Sequence, residues 1–150
     1  MAFSRLIFRR LKRYAALDRA DQALLLHALL RVALVRLALW TLPFLWVQRH
    51  ALRAAERAAA HPVARSLDIA TIVAAVDLAA EYVPGATCLT QALAAQLLLA
   101  RVGRSSLLRI GVMRAESGQF KAHAWIECGG VIVLGGNIAG LSDFTALPTI

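Results

Sequence analysis

The stretch PGATCLTQALAAQLLLARVG, Pro84 to Gly103, constrains this chain more than any other part of it. Pro84 and Gly85 mark a turn, Thr87 suits an N-cap, and Gly103 suits a C-cap. Between them Leu89, Ala92, Leu93, Ala95, Leu97, Leu98 and Leu99 leave little polar surface. The stretch therefore predicts a helix buried on nearly every side, which the rest of the chain must wrap. Cys88 stands at its first position, beside N–H groups that have no intrahelical partner and at the positive end of the helix dipole. Such a setting favours a thiolate, the nucleophilic form of cysteine. Cysteine is also a small hydrophobe, so on this stretch alone packing explains Cys88 at least as well as chemistry does.

The chain has the material to do the wrapping. It has 150 residues, 59% of them hydrophobic and 17% charged, which suits one ordered domain with a real core. Upstream the pattern is helical. Asp18 or Asp21 can cap a helix running to about Trp40, where Thr41 and Pro43 break it. A second helix covers Phe44 to Ala60 and ends at His61-Pro62. A third starts at Ser66 or Asp68 and runs through Ile69, Ile72, Val73, Val76 and Ala80, stopping before Pro84. After Gly103 the apolar period changes to alternation. SSLLRIGVMRA reads as a strand with Leu108, Ile110 and Val112 on one face, followed by a polar turn, AESGQ. FKAHAWIEC reads as a second strand, Gly129-Gly130 as a hairpin turn, and VIVLGG as a third strand. Helices first and an antiparallel sheet second make an α+β chain. It reads as a single domain, 1–62 being its basic helical part and 63–150 the part that carries the cysteine helix.

Charge and cysteine usage narrow the class. The net charge is +8, and 11 of the 17 Lys and Arg residues fall within the first 57 positions. A basic N-terminal half favours an anionic partner such as an acidic peptide or lipid headgroups; no nucleic-acid partner is expected. Only Cys88 and Cys128 are present, with no CxxC-type spacing, so neither a disulfide framework nor a metal site is expected, and no cofactor is implied. The reading is a reducing cytoplasm. The apolar segment Ala23 to Val47 is interrupted by His27, Arg31, Arg36 and Pro43. Each central Arg costs roughly 2.5–3.5 kcal/mol on insertion scales, which argues against a spanning helix. The start MAFSRLIFRRLKRY lacks the apolar core and small-residue cleavage site of a secretory signal. It reads as a solvated basic tail, with contact to a membrane surface as the alternative.

Alternation in FKAHAWIEC puts His123, Trp125 and Glu127 on one strand face, and Ala122, Ala124, Ile126 and Cys128 on the other. The second set is apolar and reads as core, with Cys128 as filler. The first suits a face that meets a site, although a half-buried, hydrogen-bonded imidazole would account for His123 by itself. His27, His50 and His61 have no partner pattern and read as structural.

Taken together the parts say more. A capped Cys helix, then a strand, then a second strand bearing HAW resembles the transglutaminase-like, papain-related superfamily. That resemblance implies a nucleophilic Cys at the head of a central helix, a His on a following strand, and an Asp or Asn on the strand after it. More narrowly, CLTQALAAQLLLARVG, LLRIGV, FKAHAWIECGGVIVLGG, the short FTALP ending and the LPF element at Leu42 to Phe44 resemble the leader peptidases, or "B" proteins, of lasso peptide biosynthesis. The resemblance implies cleavage of the leader from a ribosomally made precursor peptide, with Cys88 as nucleophile and His123 as base and then acid. It also implies a partner cyclase that closes the ring.

Two departures from the family pattern shape the expectation. Fused members carry an N-terminal leader-recognition domain with a small sheet, whereas the first 80 residues here read as helices. The chain therefore resembles the split form, which works with a separate leader-recognition protein. The family's acid is expected about a dozen residues past the His, where this chain has VIVLGGN. Asn137 is the nearest residue able to orient an imidazole, with Asp143 and Glu127 as alternatives. The Cys88 backbone N–H is one natural oxyanion donor, and Gln91 and Trp125 are candidates for the second. Two other classes stay open: a basic binding module with a structural Cys and His, and an acyl transferase on the same fold.

Overall fold

The computed structural model describes residues 18–62, 67–114, 118–137 and 140–147. The basic start, Ser66 and most of the AESGQ turn lie outside the described residues. Four helices come first: α1 (Arg19–Thr41), α2 (Phe44–Ala60), α3 (Ile69–Ala80) and α4 (Cys88–Arg101). Four strands follow: β1 (Leu107–Arg114), β2 (Phe120–Cys128), β3 (Val131–Leu134) and β4 (Thr145–Ala146). They form one antiparallel sheet in the order β3-β2-β1-β4. The expected α+β architecture is what the chain adopts.

Local chemistry sets the helix ends. Asp18 caps α1, its Oδ1 accepting the Asp21 N–H at 2.7 Å. Pro43, whose fixed φ suits a helix start but not a helix interior, separates α1 from α2. At the end of α4 the Gly103 N–H donates to Ala100 O at 3.0 Å and the Arg104 N–H to Leu99 O at 2.9 Å. This is a Schellman ending, and it needs the left-handed φ of +71° that Gly103 adopts.

The apolar run of α4 sits where its composition demands. Thr90 and every residue from Ala92 to Ala100 are buried. One side packs with Leu24, Ala28 and Val32 of α1, with Ile72, Ala75, Val76 and Ala79 of α3, and with Ala124, Ile126 and Leu134 of the sheet. The other side, through Leu93, Leu97 and Ala100, meets Val35 of α1 and Val47, Ala51 and Ala55 of α2. The helix is thus a shared wall between two apolar clusters. By contrast α1 buries only one stripe. Leu26, Leu30, Leu34 and Leu37 on its other side are each more than half exposed, and Trp40 is 77% exposed. By length and composition α1 alone among the described helices could cross a membrane. Its buried stripe belongs to the core of this domain.

In the sheet, Gly129 and Gly130 take φ of +57° and +81°, the pair of positive values that a type I′ hairpin turn requires. The expected alternation of β2 holds at Ala124 and Ile126, which join the core, and at Cys128, which packs against it. It fails at Ala122, which is exposed on the stretch of β2 that pairs with Val112. The other face is not open either. Trp125 is only 6% exposed. A Cβ at Gly111 would lie within 3.0 Å of both its ring and Phe144 Cβ, so these groups close on one another. Phe144 is brought there by a 3-10 turn, Leu141–Asp143, and by β4, which pairs with Gly111 and Val112 of β1. Two paired residues are too few to leave a periodic signal, which is why alternation in the sequence does not reveal β4.

Candidate active site

Cys88 opens α4 directly behind its cap. Thr87 and Thr90 form a reciprocal box: the Thr90 N–H donates to Thr87 Oγ1 at 3.4 Å, and the Thr87 N–H donates to Thr90 Oγ1 at 3.3 Å. The two hydroxyls also hydrogen bond at 3.1 Å. The Gln91 N–H donates to Thr87 O at 3.0 Å. These bonds engage the third and fourth amides of the turn and leave those of Cys88 and Leu89 outside the cap, as donors for developing negative charge. Thr87 was legible in the sequence as a cap. The returning contact from Thr90 was not, because a box usually closes with Glu or Gln. Cys88 itself is half-buried and packs against the larger core cluster.

Cys128 is the contrasting cysteine. It sits at the end of β2, half-buried, and burial pushes its thiol above the ordinary value against a smaller opposing pull from Arg104. It is a packing residue, as its strand face implied.

His123 lies mid-strand in β2 and is half-buried. Its Nε2 is 2.7 Å from the backbone oxygen of Gly135, to which it donates. The ring lies between Trp125, nearly parallel at a centroid distance of 6.3 Å, and Phe144, tilted at 5.9 Å. Trp125 is fixed in turn. Its indole N–H donates to Glu127 Oε1 at 2.9 Å, and Arg109 Nε donates to Glu127 Oε2 at 3.3 Å. The Trp125 hydrogen bond, helped by Arg109 and partly opposed by burial, holds the Glu127 carboxyl below its usual range.

These contacts sort the expected site residues. Glu127 shares a strand face with His123, but both its oxygens are committed to Trp125 and Arg109, so it does not orient the imidazole. The Trp125 indole N–H, a candidate second oxyanion donor, is likewise engaged, with Glu127. Asn137 is exposed and makes no hydrogen bond to His123. Asp143 is exposed in the 3-10 turn, where it accepts from the Ser142 hydroxyl at 3.4 Å. The residue at the imidazole is Gly135, whose contact involves only backbone and so leaves no mark in residue type. No hydrogen bond joins Cys88 to His123 in this structure. Helix α4 packs on the Ala124 and Ile126 side of β2, while His123 shares its side with Trp125. Among the described residues no group of three or more His, Cys, Asp or Glu is placed to hold a metal ion.

The fold has a counterpart among known families. The model of the transglutaminase-like superfamily matches residues 28–149, and the chain belongs to that superfamily. No curated protein and no solved structure matches it.

Proposed function

We propose that this member of the transglutaminase-like superfamily is a cysteine peptidase that cuts the leader from a ribosomally made lasso precursor peptide. The observation that carries the reading is the capped cysteine at the head of a buried central helix, followed in the chain by a strand-borne imidazole already held by a hydrogen bond. A rigid helix fixes a nucleophile better than a loop does. Cys128, the other thiol, sits where burial suppresses the thiolate.

The reaction balances with this chain's own groups. His123 takes the Cys88 thiol proton, and Sγ adds to the carbonyl carbon of the leader–core bond. The Cys88 N–H, with the Leu89 N–H beside it, faces the oxyanion that forms. The C–N bond breaks as His123 returns the proton to the amine of the core peptide, leaving the leader as a thioester. His123 then deprotonates a water, which adds to the thioester. The C–S bond breaks, the sulfur regains a proton, and the leader departs as a carboxylate. In this structure Cys88 and His123 lie on different sides of β2, so the reading requires a rearrangement on substrate binding that brings the thiol within hydrogen-bond reach of the imidazole.

The same reading assigns partners: the precursor peptide, a separate leader-recognition protein and a lasso cyclase that takes the released core, all in the cytoplasm. The basic helical half is the surface for the recognition protein or the leader. The test is to incubate the protein with precursor peptide and recognition protein and to follow leader release by mass. Cleavage that is abolished in Cys88→Ala and in His123→Ala supports the reading. Cleavage that survives Cys88→Ala ends it. A product carrying an added amine in place of a free carboxylate would make the protein an acyl transferase.

A further inference from the structure

We propose that the backbone carbonyl of Gly135 orients the catalytic imidazole, taking the place of a side-chain carboxylate or amide. The catalytic meaning of this assignment rests on the peptidase reading; the geometry stands without it.

A carbonyl oxygen has no proton to give, so at 2.7 Å it can only accept from Nε2–H. The neutral ring is therefore held as the Nε2–H tautomer, and Nδ1 is left as the nitrogen with a lone pair. Nδ1 is the base and Nε2 is the anchor.

The anchor needs glycine. Gly135 has φ of +80°, and a Cβ built on it would lie 2.8 Å from Ala124 O and 3.1 Å from Trp125 Cβ. Any side chain at 135 would push this backbone away from β2 and so away from the ring. The absence of an acid at this position and the close approach of the carbonyl thus have one cause. The surroundings hold the ring for that contact. Trp125 and Phe144 flank it, Glu127 and Arg109 fix Trp125, and Gly111 leaves room for the Trp125 ring that a Cβ at 2.8 Å would displace. The consequence is chemical. A neutral acceptor sets tautomer and orientation, but it gives the imidazolium no full opposite charge. The carboxylate nearest in sequence on that face, Glu127, is committed elsewhere.

The deciding measurement is the tautomer of His123 in the full chain labelled with ¹⁵N-histidine, in wild type and in Cys88→Ala. His123→Gln identifies its signals. The expected result is a protonated Nε2 and an unprotonated Nδ1 in the neutral ring, unchanged in Asn137→Ala and in Asp143→Ala. A neutral ring protonated on Nδ1, or a tautomer that changes in Asn137→Ala, overturns the proposal. Gly135→Ala should mix the tautomers and lower kcat by about 10²-fold, the usual worth of a positioned general base, with little change in KM. If that variant does not fold, the wild-type tautomer still decides. The expected tautomer with no cleavage of any precursor leaves the anchor standing and removes the peptidase reading. Cleavage by a protein whose neutral His123 is protonated on Nδ1 does the reverse.

Discussion

The head of α4 and the tail of β2 each carry a half-buried cysteine packed against the same core cluster, and the two differ in their backbone setting. Cys88 follows a reciprocal Thr87–Thr90 cap and stands beside amides that the cap leaves free. Cys128 precedes a Gly-Gly turn, packs against the core, and has its thiol pushed up by burial. Both thiols are half-buried, and what sets them apart is the backbone around them: a capped helix start at Cys88, a strand end at Cys128.

The largest expected effect separates these two directly. Cys88→Ala should lower kcat/KM for precursor cleavage by at least about 10³-fold, whereas Cys128→Ala should leave cleavage nearly unchanged. A Cys128→Ala variant that lost cleavage while keeping its melting temperature would break the comparison. Next in size is the support behind Cys88. Leu93 is fully buried at the contact with α2, so Leu93→Ala should cost about 2–5 kcal/mol in denaturant unfolding. A loss below about 1 kcal/mol would mean that α4 is not the rigid wall between the clusters. Smaller again is the cap. Thr87→Ala removes the acceptor for the Thr90 N–H and should cost about 1 kcal/mol. Cleavage should fall further than stability does if the cap also positions Cys88, and the two assays read in parallel sharpen that point.

The smallest effect lies on the His123 side. The carboxyl of Glu127 is held below its usual value by Trp125 first and then by Arg109, so its ionised form stabilises the fold. That contribution is present above the ordinary carboxylate pKa of about 4.3 and is lost as pH falls through the lower folded value. Glu127→Gln should therefore melt below wild type near neutral pH, with the gap closing in acid. A gap that stayed constant with pH would mean that the Trp125–Glu127–Arg109 chain does not depend on charge.

Much of the fold was legible because it is written in local rules. The bounds of α2, Phe44 to Ala60, follow from Pro43 on one side and His61-Pro62 on the other. The ends of α4 follow from Thr87 and Gly103, and the β2–β3 hairpin follows from Gly129-Gly130. Ala122 departs from its face because it lies, with Phe120 and Lys121, on the exposed start of β2, and strand period carries no information about where cover stops. Among the candidate site residues, Cys88 and His123 could be singled out because each has a rare side chain in a distinctive local setting. The partner of His123 could not, because it is a main-chain oxygen.

The sequence by itself determined that a nearly all-apolar helix headed by a capped cysteine had to become the centre of an α+β domain. Cap, period and turn chemistry act over a few residues and need no knowledge of the rest of the chain. Only the tertiary structure decided what stands at the imidazole. Gly135 reaches His123 across the β2–β3 pair, and Glu127 turns to Trp125 and Arg109. These are contacts of strand register and backbone approach, set by where the sheet brings main-chain atoms together, and residue type does not encode them.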